Sequence, residues 1–159
     1  MRAGIGFDVH PFDADRPLVL GGVTIDGSPG LSGHSDADVV CHAVADALLG
    51  AANLGDLGQH FPDSDAGWKD ASSIDLLGHV VKLVAEAGFQ IESIDATVLL
   101  EDPKIAAHRE QMCARIAGAL GVLPARVSIK ATTTEGLGTV GRGEGAACMA
   151  VALIDDVEL

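Results

Sequence analysis

The chain contains few aromatic and few basic side chains. Aromatic residues make up 3% of its 159 positions, tyrosine is absent, and Trp68 is the one tryptophan. This argues against the base-stacking platforms that bind single-stranded nucleic acid. Ten Lys and Arg residues stand against 23 Asp and Glu, a formal net charge of −13, so no basic stripe is available for duplex binding. An anionic ligand would need positive charge gathered locally, from metal ions, helix N-termini or a few placed basic residues.

Long apolar runs and paired cysteines are also missing. The apolar segments are short and are broken by glycine or charge, so we expect no transmembrane span and no membrane partner. The three cysteines, Cys41, Cys113 and Cys148, are widely spaced and form no CxxC zinc pattern. We expect them to be reduced and to serve as small apolar residues. No targeting extension precedes the first predicted strand, which favours a bacterial cytoplasm.

What is present is typical of one folded domain. Hydrophobic residues make up 48% and charged residues 21% of the chain, which excludes a disordered polymer. A length of 159 residues matches a single domain over 1–159. Such a domain buries about two-thirds of its unfolded surface and needs no disulfide.

The hydrophobic pattern predicts strands and helices that do not alternate strictly. Strands are predicted over 3–12, 89–101, 126–132 and 144–155, a hairpin over 18–25, and helices over 36–52, 72–87 and 103–120. The predicted class is α+β in two layers, one mixed β-sheet with helices packed on one face. The last strand is almost continuously apolar and is expected to be buried on both faces. The uncovered sheet face needs burial elsewhere, most simply against copies of the chain.

Capping patterns mark the expected helix ends. Ser35 with Asp38, and Ser72 with Asp75, form S-x-x-D signatures in which the serine is the expected N-cap. Pro103 is expected to open the third helix. Segments rich in glycine and polar residues are predicted to be loops, namely 26–37, 53–71 and 133–143.

Three residues could share a metal ion. Asp8 and His10 are two apart on the first predicted strand, so their side chains lie on one face. His42 lies on the first predicted helix among apolar residues, where a core histidine is the alternative to a ligand. If that helix packs on the strand, the three residues leave one coordination position open, as in catalytic zinc sites. Otherwise Asp8 and His10 form a hydrogen-bonded pair.

Two segments have the composition of anion-binding sites. His34 and Ser35 precede the first predicted helix, whose N–H groups and positive potential suit an oxyanion or phosphate. The segment KATTTE over 130–135 places three hydroxyls beside a glycine-rich loop, and Glu135 could hold a magnesium ion between phosphate oxygens. β-Propensity alone is the alternative explanation of the threonines. The loop lacks the P-loop pattern G-x-x-x-x-G-K-[ST].

Isolated charged residues supply weaker candidates. Asp56 stands in the glycine-containing long loop and could bind a ribose diol, although loop carboxylates are usually only solvated. Lys104 is one of ten basic residues, and a cation at a predicted helix start opposes the helix dipole, which favours a phosphate role. Arg142 and Glu144 are two apart, and an ordinary ion pair explains them equally well.

Eight motifs follow one another along nearly the whole chain. They are GFDVH at 6–10, HSDAD at 34–38, DALLGA at 46–51, LGDLG at 54–58, FPDSD at 61–65, PK at 103–104, KATTTE at 130–135 and GRGEG at 141–145. No one of them is specific, but in this order they resemble the 2-C-methyl-D-erythritol 2,4-cyclodiphosphate synthase family. The resemblance implies a homotrimer with its sheets facing the threefold axis and its active sites between adjacent subunits.

The resemblance also implies a reaction and its metals. The substrate would be a cytidine diphosphate, 4-diphosphocytidyl-2-C-methyl-D-erythritol 2-phosphate. The products would be the cyclic diphosphate and CMP, in the non-mevalonate route to isoprenoid precursors. Asp8, His10 and His42 match the family's zinc ligands. Glu135 matches the ligand of a Mg²⁺ or Mn²⁺ ion that bridges the substrate phosphates.

Catalytic and substrate-binding positions carry over from the same resemblance. His34 and Thr133 match the residues that stabilise the transition state. The ribose side corresponds to Asp56 and Gly58, the methylerythritol side to 61–65, and the cytidine and phosphate side to Lys104, Thr132 and Thr133. All substrate-binding positions together are Asp8, His10, His34, Ser35, Asp56, Leu57, Gly58, Phe61, Pro62, Asp63, Ser64, Asp65, Leu100, Pro103, Lys104, Ile105, Ala106, Thr132, Thr133, Thr134, Glu135, Thr139 and Arg142.

Some positions depart from the family pattern. The segment 100–102 is Leu-Glu-Asp where small residues are common, and Ile105 and Ala106 are shorter than expected, which leaves the shape of the cytosine pocket open. The resemblance implies an isoprenoid diphosphate site on the threefold axis, lined in part by Phe7 and an aromatic residue. Thr139 stands in place of that aromatic residue and weakens the expectation.

The implied reaction is an intramolecular phosphoryl transfer, which needs no protein nucleophile. This agrees with the lack of a convincing Ser/His/Asp or Cys/His triad. Two alternatives use the same metal ligands. One is a metal-dependent nucleotide phosphohydrolase that acts through zinc-bound water, and the other is a zinc-stabilised trimeric binding module without turnover.

Overall fold

The computed structural model describes residues 1–157, which form strands, α-helices and three short 3-10 turns. The strands are β1 (Arg2–Asp13), β2 (Leu18–Leu20), β3 (Val23–Ile25), β4 (Gly30–Leu31), β5 (Phe89–Leu99), β6 (Val127–Thr132) and β7 (Gly145–Asp156). The helices are α1 (Val39–Ala51), α2 (Leu57–His60), α3 (Ser73–Glu86), α4 (Arg109–Leu120) and α5 (Gly138–Gly141). The 3-10 turns are Ala66–Trp68, Ala106–His108 and Pro124–Arg126.

The strands form two sheets. The larger has the order β4-β1-β7-β5-β6, in which β5 and β6 are parallel and the other pairs are antiparallel. β2 and β3 form a separate antiparallel hairpin. The mixed sheet and the α+β class predicted from the sequence are confirmed. The expectation of a single sheet is wrong, because the hairpin pairs only with itself.

One face of β1 lies directly against α1. A Cβ atom on Gly4 would lie 2.0 Å from the carbonyl oxygen of Ala47, and one on Gly6 would lie 1.9 Å from that of Ala43. The two glycines therefore allow the helix backbone to approach the strand more closely than any other residue would. Asp8 continues the same period of two, so its side chain points toward the helix.

Helix α1 is the centre of the core. Eleven of its 13 residues are buried, which requires neighbours on every side. It packs on β1 and β7, and α3 lies beside it. α4 packs on α3 and β6, so the helices cover one face of the sheet as predicted.

The other face of the sheet is apolar and exposed in the single chain. Phe7 pairs with Met149 across β1 and β7, and Ile5 pairs with Val151. These four side chains, with Val9, are 44–65% exposed. The expectation that the last strand is buried on both faces is therefore wrong for the chain alone, because nothing within the described residues covers this side.

The predicted N-cap of the first helix needs correction, whereas that of the second stands. Asp38, not Ser35, is the N-cap of α1, because its carboxylate accepts hydrogen bonds from Val40 N and Cys41 N at 3.1 Å each. Ser72 does occupy the N-cap position of α3, although its hydroxyl makes no capping bond.

The third long helix begins at Arg109 and not at Pro103. A 3-10 turn precedes it, and the chain before that turn is irregular. Lys104 is therefore not at a helix start; its Nζ donates to the carbonyl oxygen of Glu101 at 3.1 Å. Ile105 is buried in the hydrophobic core, which anchors this stretch. The segments predicted as loops also contain short elements, namely β4, α2, the 3-10 turn at 66–68 and α5.

Within residues 1–157, no helix has both the length and the apolarity needed to cross a bilayer.

Candidate functional site

Asp8, His10 and His42 converge at the contact between β1 and α1. The Oδ2 atom of Asp8 lies 3.0 Å from His10 Nε2 and 2.9 Å from His42 Nδ1. Among the described residues, these three are the one set of His, Cys, Asp and Glu whose potential ligand atoms all lie within 4.8 Å of one another. A carboxylate oxygen and a ring nitrogen lone pair at 2.9 Å repel unless a proton or a cation lies between them. One carboxylate and two imidazoles are a donor set suited to zinc, with one coordination position left open.

The electrostatics of the three residues favours a cation. Burial raises the pKa of the Asp8 carboxyl, but hydrogen bonds from His10 and His42 outweigh burial and hold that pKa well below its ordinary range. Burial lowers the pKa of the His42 imidazole, but its hydrogen bond to Asp8 and the charges of Asp8, Asp38 and Asp36 leave it raised. The carboxylate is thus ionised, and positive charge is stabilised beside it.

A second layer of buried polar side chains fixes the ring of His42. Its Nε2 lies 2.9 Å from the hydroxyl oxygens of both Ser35 and Ser73. The Ser73 hydroxyl donates to Asp36, and Asp36 also accepts from Ser73 N at 3.0 Å. Because the Ser73 proton is directed to Asp36, its oxygen accepts from His42 Nε2–H, which leaves Nδ1 for a metal ion.

Asp38 joins the start of α1 to the β2–β3 hairpin. Its side chain is fully buried and accepts hydrogen bonds from Gly21 N at 2.9 Å and Gly22 N at 2.7 Å, besides those from the first turn of α1. Burial, followed by the charge of Asp36, raises the pKa of Asp38. The carboxylate therefore holds the start of α1 against the hairpin.

A cavity of about 330 Å³ opens over the three candidate ligands. His42 lines it, and so do eight other positions predicted to bind substrate or metal, namely Asp8, His10, His34, Ser35, Leu57, Gly58, Phe61 and Asp63. Sequence reasoning missed three lining residues, Gly33, Trp68 and Leu76. Phe61 and Trp68 contact each other edge to face, with ring centroids 4.8 Å apart, so the long loop supplies an aromatic wall.

A second cavity, of about 190 Å³, lies between the segment after β5 and the end of β6. Seven predicted substrate positions line it, namely Leu100, Pro103, Lys104, Ile105, Ala106, Thr132 and Thr133. Ala131 and Arg109 also line it and were missed. Arg109 gives this cavity a second cation beside Lys104. The signal in the sequence was a second basic residue, Arg109, five positions after Lys104.

The two cavities share no lining residue within one chain. Glu135 belongs neither to the cluster of Asp8, His10 and His42 nor to either cavity lining. It lies in an exposed turn with φ at 54°, a left-handed backbone that costs a residue other than glycine about 1–2 kcal/mol. Thr134 precedes it, and its hydroxyl donates to Leu137 O at 2.8 Å.

The remaining predicted positions line neither of the two cavities. The Asp56 carboxylate caps α2 through Gln59 N at 3.0 Å. Pro62, Ser64 and Asp65 are exposed in the long loop. His34 Nε2 lies 3.3 Å from the Asp65 carbonyl oxygen. Thr139 lies in α5 and Arg142 directly after it; Arg142 pairs with Glu144 at 2.8 Å.

The cysteines offer no nucleophile. Cys41 and Cys148 are buried and unpaired, and Cys113 is half-buried. Burial raises the pKa of the Cys41 thiol well above its ordinary value and that of Cys148 to about 12. The expectation of small apolar residues is confirmed for the two buried thiols.

Comparison with known sequences gives matches over nearly the full length. A model of the YgbB family matches residues 1–155. The chain is 58% identical over 154 residues to the 2-C-methyl-D-erythritol 2,4-cyclodiphosphate synthase of Salinibacter ruber, covering 97% of this chain and 98% of that protein. The synthase of the same name from Alkaliphilus oremlandii is 55% identical over 154 residues, covering 97% and 98%.

Solved structures agree in fold. The bifunctional IspDF from Campylobacter jejuni aligns with a TM-score of 0.95 at 43% identity, over 99% of this chain and 42% of that longer one. A CDP-bound 2C-methyl-D-erythritol-2,4-cyclodiphosphate synthase aligns with a TM-score of 0.89 at 33% identity, over 97% of this chain and 100% of that one. The CDP complex of IspF from Plasmodium falciparum aligns with a TM-score of 0.85 at 29% identity, over 99% and 97%.

Proposed function

This chain belongs to the YgbB family of 2-C-methyl-D-erythritol 2,4-cyclodiphosphate synthases, and from that membership we propose how its residues divide the work of the reaction. The enzyme forms 2-C-methyl-D-erythritol 2,4-cyclodiphosphate and CMP from 4-diphosphocytidyl-2-C-methyl-D-erythritol 2-phosphate, in the non-mevalonate route to isoprenoid precursors. The observation that carries the proposal is the convergence of Asp8, His10 and His42 on one point beside a cavity.

The reaction requires the substrate's two reacting groups to be held in position, and it needs no nucleophile from the protein. The 2-phosphate of the substrate attacks the β-phosphorus of its own diphosphate, and CMP leaves. Two anionic groups must be held in line, and good orientation of linked reactants contributes about 7–11 kcal/mol. A protein with a formal charge of −13 cannot offset this repulsion by its overall field, so positive charge has to be local.

Asp8, His10 and His42 would hold a zinc ion. Their donor set fits it, since the Asp8 carboxyl has a depressed pKa and the ring of His42 is oriented by two serine hydroxyls. When bound, the ion supplies Lewis-acid neutralisation of phosphoryl oxygen charge. The residues themselves set the position of that charge, at the floor of the larger cavity.

Glu135 would hold a second divalent ion, magnesium or manganese, at the diphosphate. An exposed carboxylate is a hard oxygen ligand that such ions accept while keeping several waters, and Glu135 is exposed in its turn. Thr133, two residues before Glu135, would donate a hydrogen bond to the transferring phosphoryl group. His34, on the rim of the larger cavity, would donate a second one from the opposite side.

The smaller cavity suits the cytidine diphosphate end of the substrate. Lys104 and Arg109 line it together with Thr132 and Thr133, which provides two cations and two hydroxyls for phosphate. The larger cavity, closed by Phe61 and Trp68, suits the methylerythritol phosphate end, with Asp56 and Gly58 near the ribose.

We expect the complete site to form between subunits of a homotrimer. The two cavities share no lining residue within one chain, and an exposed apolar face on β1 and β7 is available for packing. The isoprenoid diphosphate site on the threefold axis, with Thr139 in place of an aromatic residue, stays a prediction. So does a location in the bacterial cytoplasm.

Product analysis on protein of known metal content tests the proposal. Zinc-loaded enzyme with magnesium should release CMP and the cyclic diphosphate, distinguishable by phosphorus NMR. Chelation should abolish both products, and zinc with magnesium should restore them. Full activity in a verified metal-free preparation would reject the metal roles. Release of free phosphate would indicate a phosphohydrolase, and binding without turnover would indicate a binding module.

A further inference from the structure

Glu101 links the two walls of the smaller cavity. It lies in the segment after β5 that carries Leu100 and Lys104, and its side chain reaches the turn after β6. Its Oε1 accepts a hydrogen bond from Thr134 N at 2.8 Å and lies 3.3 Å from the Thr134 hydroxyl. The contact joins residues 33 positions apart, and both residues are half-buried.

The turn held by Glu101 is the one that presents Glu135. Thr134 and Leu137 close it reciprocally, because Leu137 N donates to Thr134 O at 2.9 Å and the Thr134 hydroxyl donates to Leu137 O. Between them, Glu135 and Gly136 both have a positive φ, 54° and 72°. A non-glycine residue keeps this backbone only where its surroundings impose it. From the opposite wall, Glu101 reaches this turn by accepting the hydrogen bond from Thr134 N.

The same residue also holds the cation of its own wall. Lys104 Nζ donates to the Glu101 carbonyl oxygen at 3.1 Å. The backbone bond from Leu100 N to Thr132 O, at 3.0 Å, fixes the spacing of the two walls one residue earlier. Glu101 therefore contacts both Lys104, through its carbonyl oxygen, and the turn that carries Glu135, through its carboxylate.

We propose that Glu101 is a positioning residue for the reaction, which uses its Oε1 atom as a hydrogen-bond acceptor to hold the Thr134–Glu135 turn over the diphosphate subsite. This rests on the proposed role of Glu135. The function depends on the acceptor atom and its reach, and not on the negative charge, because a charge beside a diphosphate is repulsive.

A matched pair of substitutions separates reach from charge. Glu101→Gln keeps an acceptor oxygen at the same distance from the backbone and removes the charge. Glu101→Asp keeps the charge and is one methylene too short for Thr134 N. Asp102→Asn is the control, since Asp102 is exposed and loses the same charge one residue away. For each variant, the rate of CMP release is measured against magnesium concentration, and zinc content is measured in parallel.

Glu101→Asp should lower kcat by about 10–100-fold, the range that misplacement of a reacting group produces. It should also raise the magnesium concentration for half-maximal rate, with zinc content unchanged. Glu101→Gln should be at least tenfold more active than Glu101→Asp, and Asp102→Asn should match the wild type. Equal activity of the Asp and Gln variants, or a better Asp variant, overturns the inference.

Glu135→Gln reports on the proposed function separately. If it loses magnesium-dependent turnover while Glu101→Asp retains wild-type kcat, the inference about Glu101 fails alone. If Glu135→Gln retains full magnesium-dependent activity, the assignment of Glu135 fails, and the inference that rests on it fails with it.

Discussion

The Nδ1 atom of His42 lies 2.9 Å from Oδ2 of Asp8, although 34 positions separate the two residues along the chain. The contact exists because α1 lies directly on β1, with helix carbonyl oxygens over Gly4 and Gly6. The distance between these two side chains is therefore set by strand residues that bind nothing themselves.

Gly6→Ala should destabilise the protein and weaken metal binding together. The added Cβ would lie 1.9 Å from Ala43 O and 2.7 Å from Ala47 N, so α1 must move away from β1. Overpacking of this kind typically costs about 1–3 kcal/mol, and occasionally more. Urea denaturation measures the free energy of unfolding, and zinc retained after dialysis measures the site.

Gly78→Ala is the matched control for that substitution. Gly78 lies within α3, and an added Cβ there meets no atom within 4 Å. Replacing glycine by alanine inside a helix should raise stability by about 0.5–1 kcal/mol and leave zinc content unchanged. Wild-type stability and zinc retention in Gly6→Ala would contradict the packing argument.

Ser73→Ala should lower zinc affinity by about 10–100-fold, the effect typical of losing a group that orients a metal ligand. The hydroxyl oxygen lies 2.9 Å from His42 Nε2, and the hydroxyl donates its hydrogen bond to Asp36. Competition with a chromophoric chelator measures the affinity. Ser72→Ala is the control, because the neighbouring hydroxyl is exposed and makes no capping bond. Equal affinities of the two variants would remove Ser73 from this role.

The Asp8–His42 pair should give metal-free protein a pH-dependent stability that Asp8→Asn lacks. The pKa of His42 is raised in the folded state, so its contribution is present below the unfolded value of about 6.5 and is lost as pH rises through the folded pKa. The pKa of Asp8 is depressed, so its contribution is present above the unfolded value of about 4 and is lost as pH falls through the folded pKa. The stability difference between wild type and Asp8→Asn should therefore be largest between about pH 4 and 6.5, as measured by thermal unfolding in chelator.

Zinc affinity should fall as the pH is lowered. Zinc must displace the proton from His42, so its Kd should rise by about tenfold for each pH unit below the raised pKa of that residue. A flat dependence of Kd on pH would contradict ligation through this ring.

The strand and helix patterns predicted the three candidate metal ligands, but they did not predict the contacts that bring these ligands together and orient them. The period of two in β1 placed Asp8 and His10 on one face, and the helical pattern placed His42 in α1. Their convergence depends on long-range packing, for which the one local signal was glycine at positions 4 and 6 of the same strand face. Ser73 was missed because it lies 31 positions from His42 and shares no motif with it.

The errors in helix starts have a common cause. Ser35 matches a capping pattern, but its hydroxyl faces His42, and Asp38 caps α1 because the hairpin supplies it with two further N–H groups. Pro103 was expected to open a helix, but the chain there forms a cavity wall that buries Ile105. At both positions tertiary contacts prevailed over local propensity.

Ile5→Lys should convert the proposed trimer to separate chains. Ile5 is 65% exposed and lies in a row of apolar side chains on β1 and β7. Burying an isoleucine side chain contributes about 1.5–3 kcal/mol, and a trimer would bury three, whereas a lysine there must be desolvated without a partner. Sedimentation equilibrium should give the mass of three chains for the wild type and one for Ile5→Lys. Leu123→Lys is the control, since Leu123 is 72% exposed but lies outside the sheet.

Because the two cavities share no lining residue within a chain, Ile5→Lys should lose turnover and keep its zinc. A fully active single chain would contradict a site built between subunits.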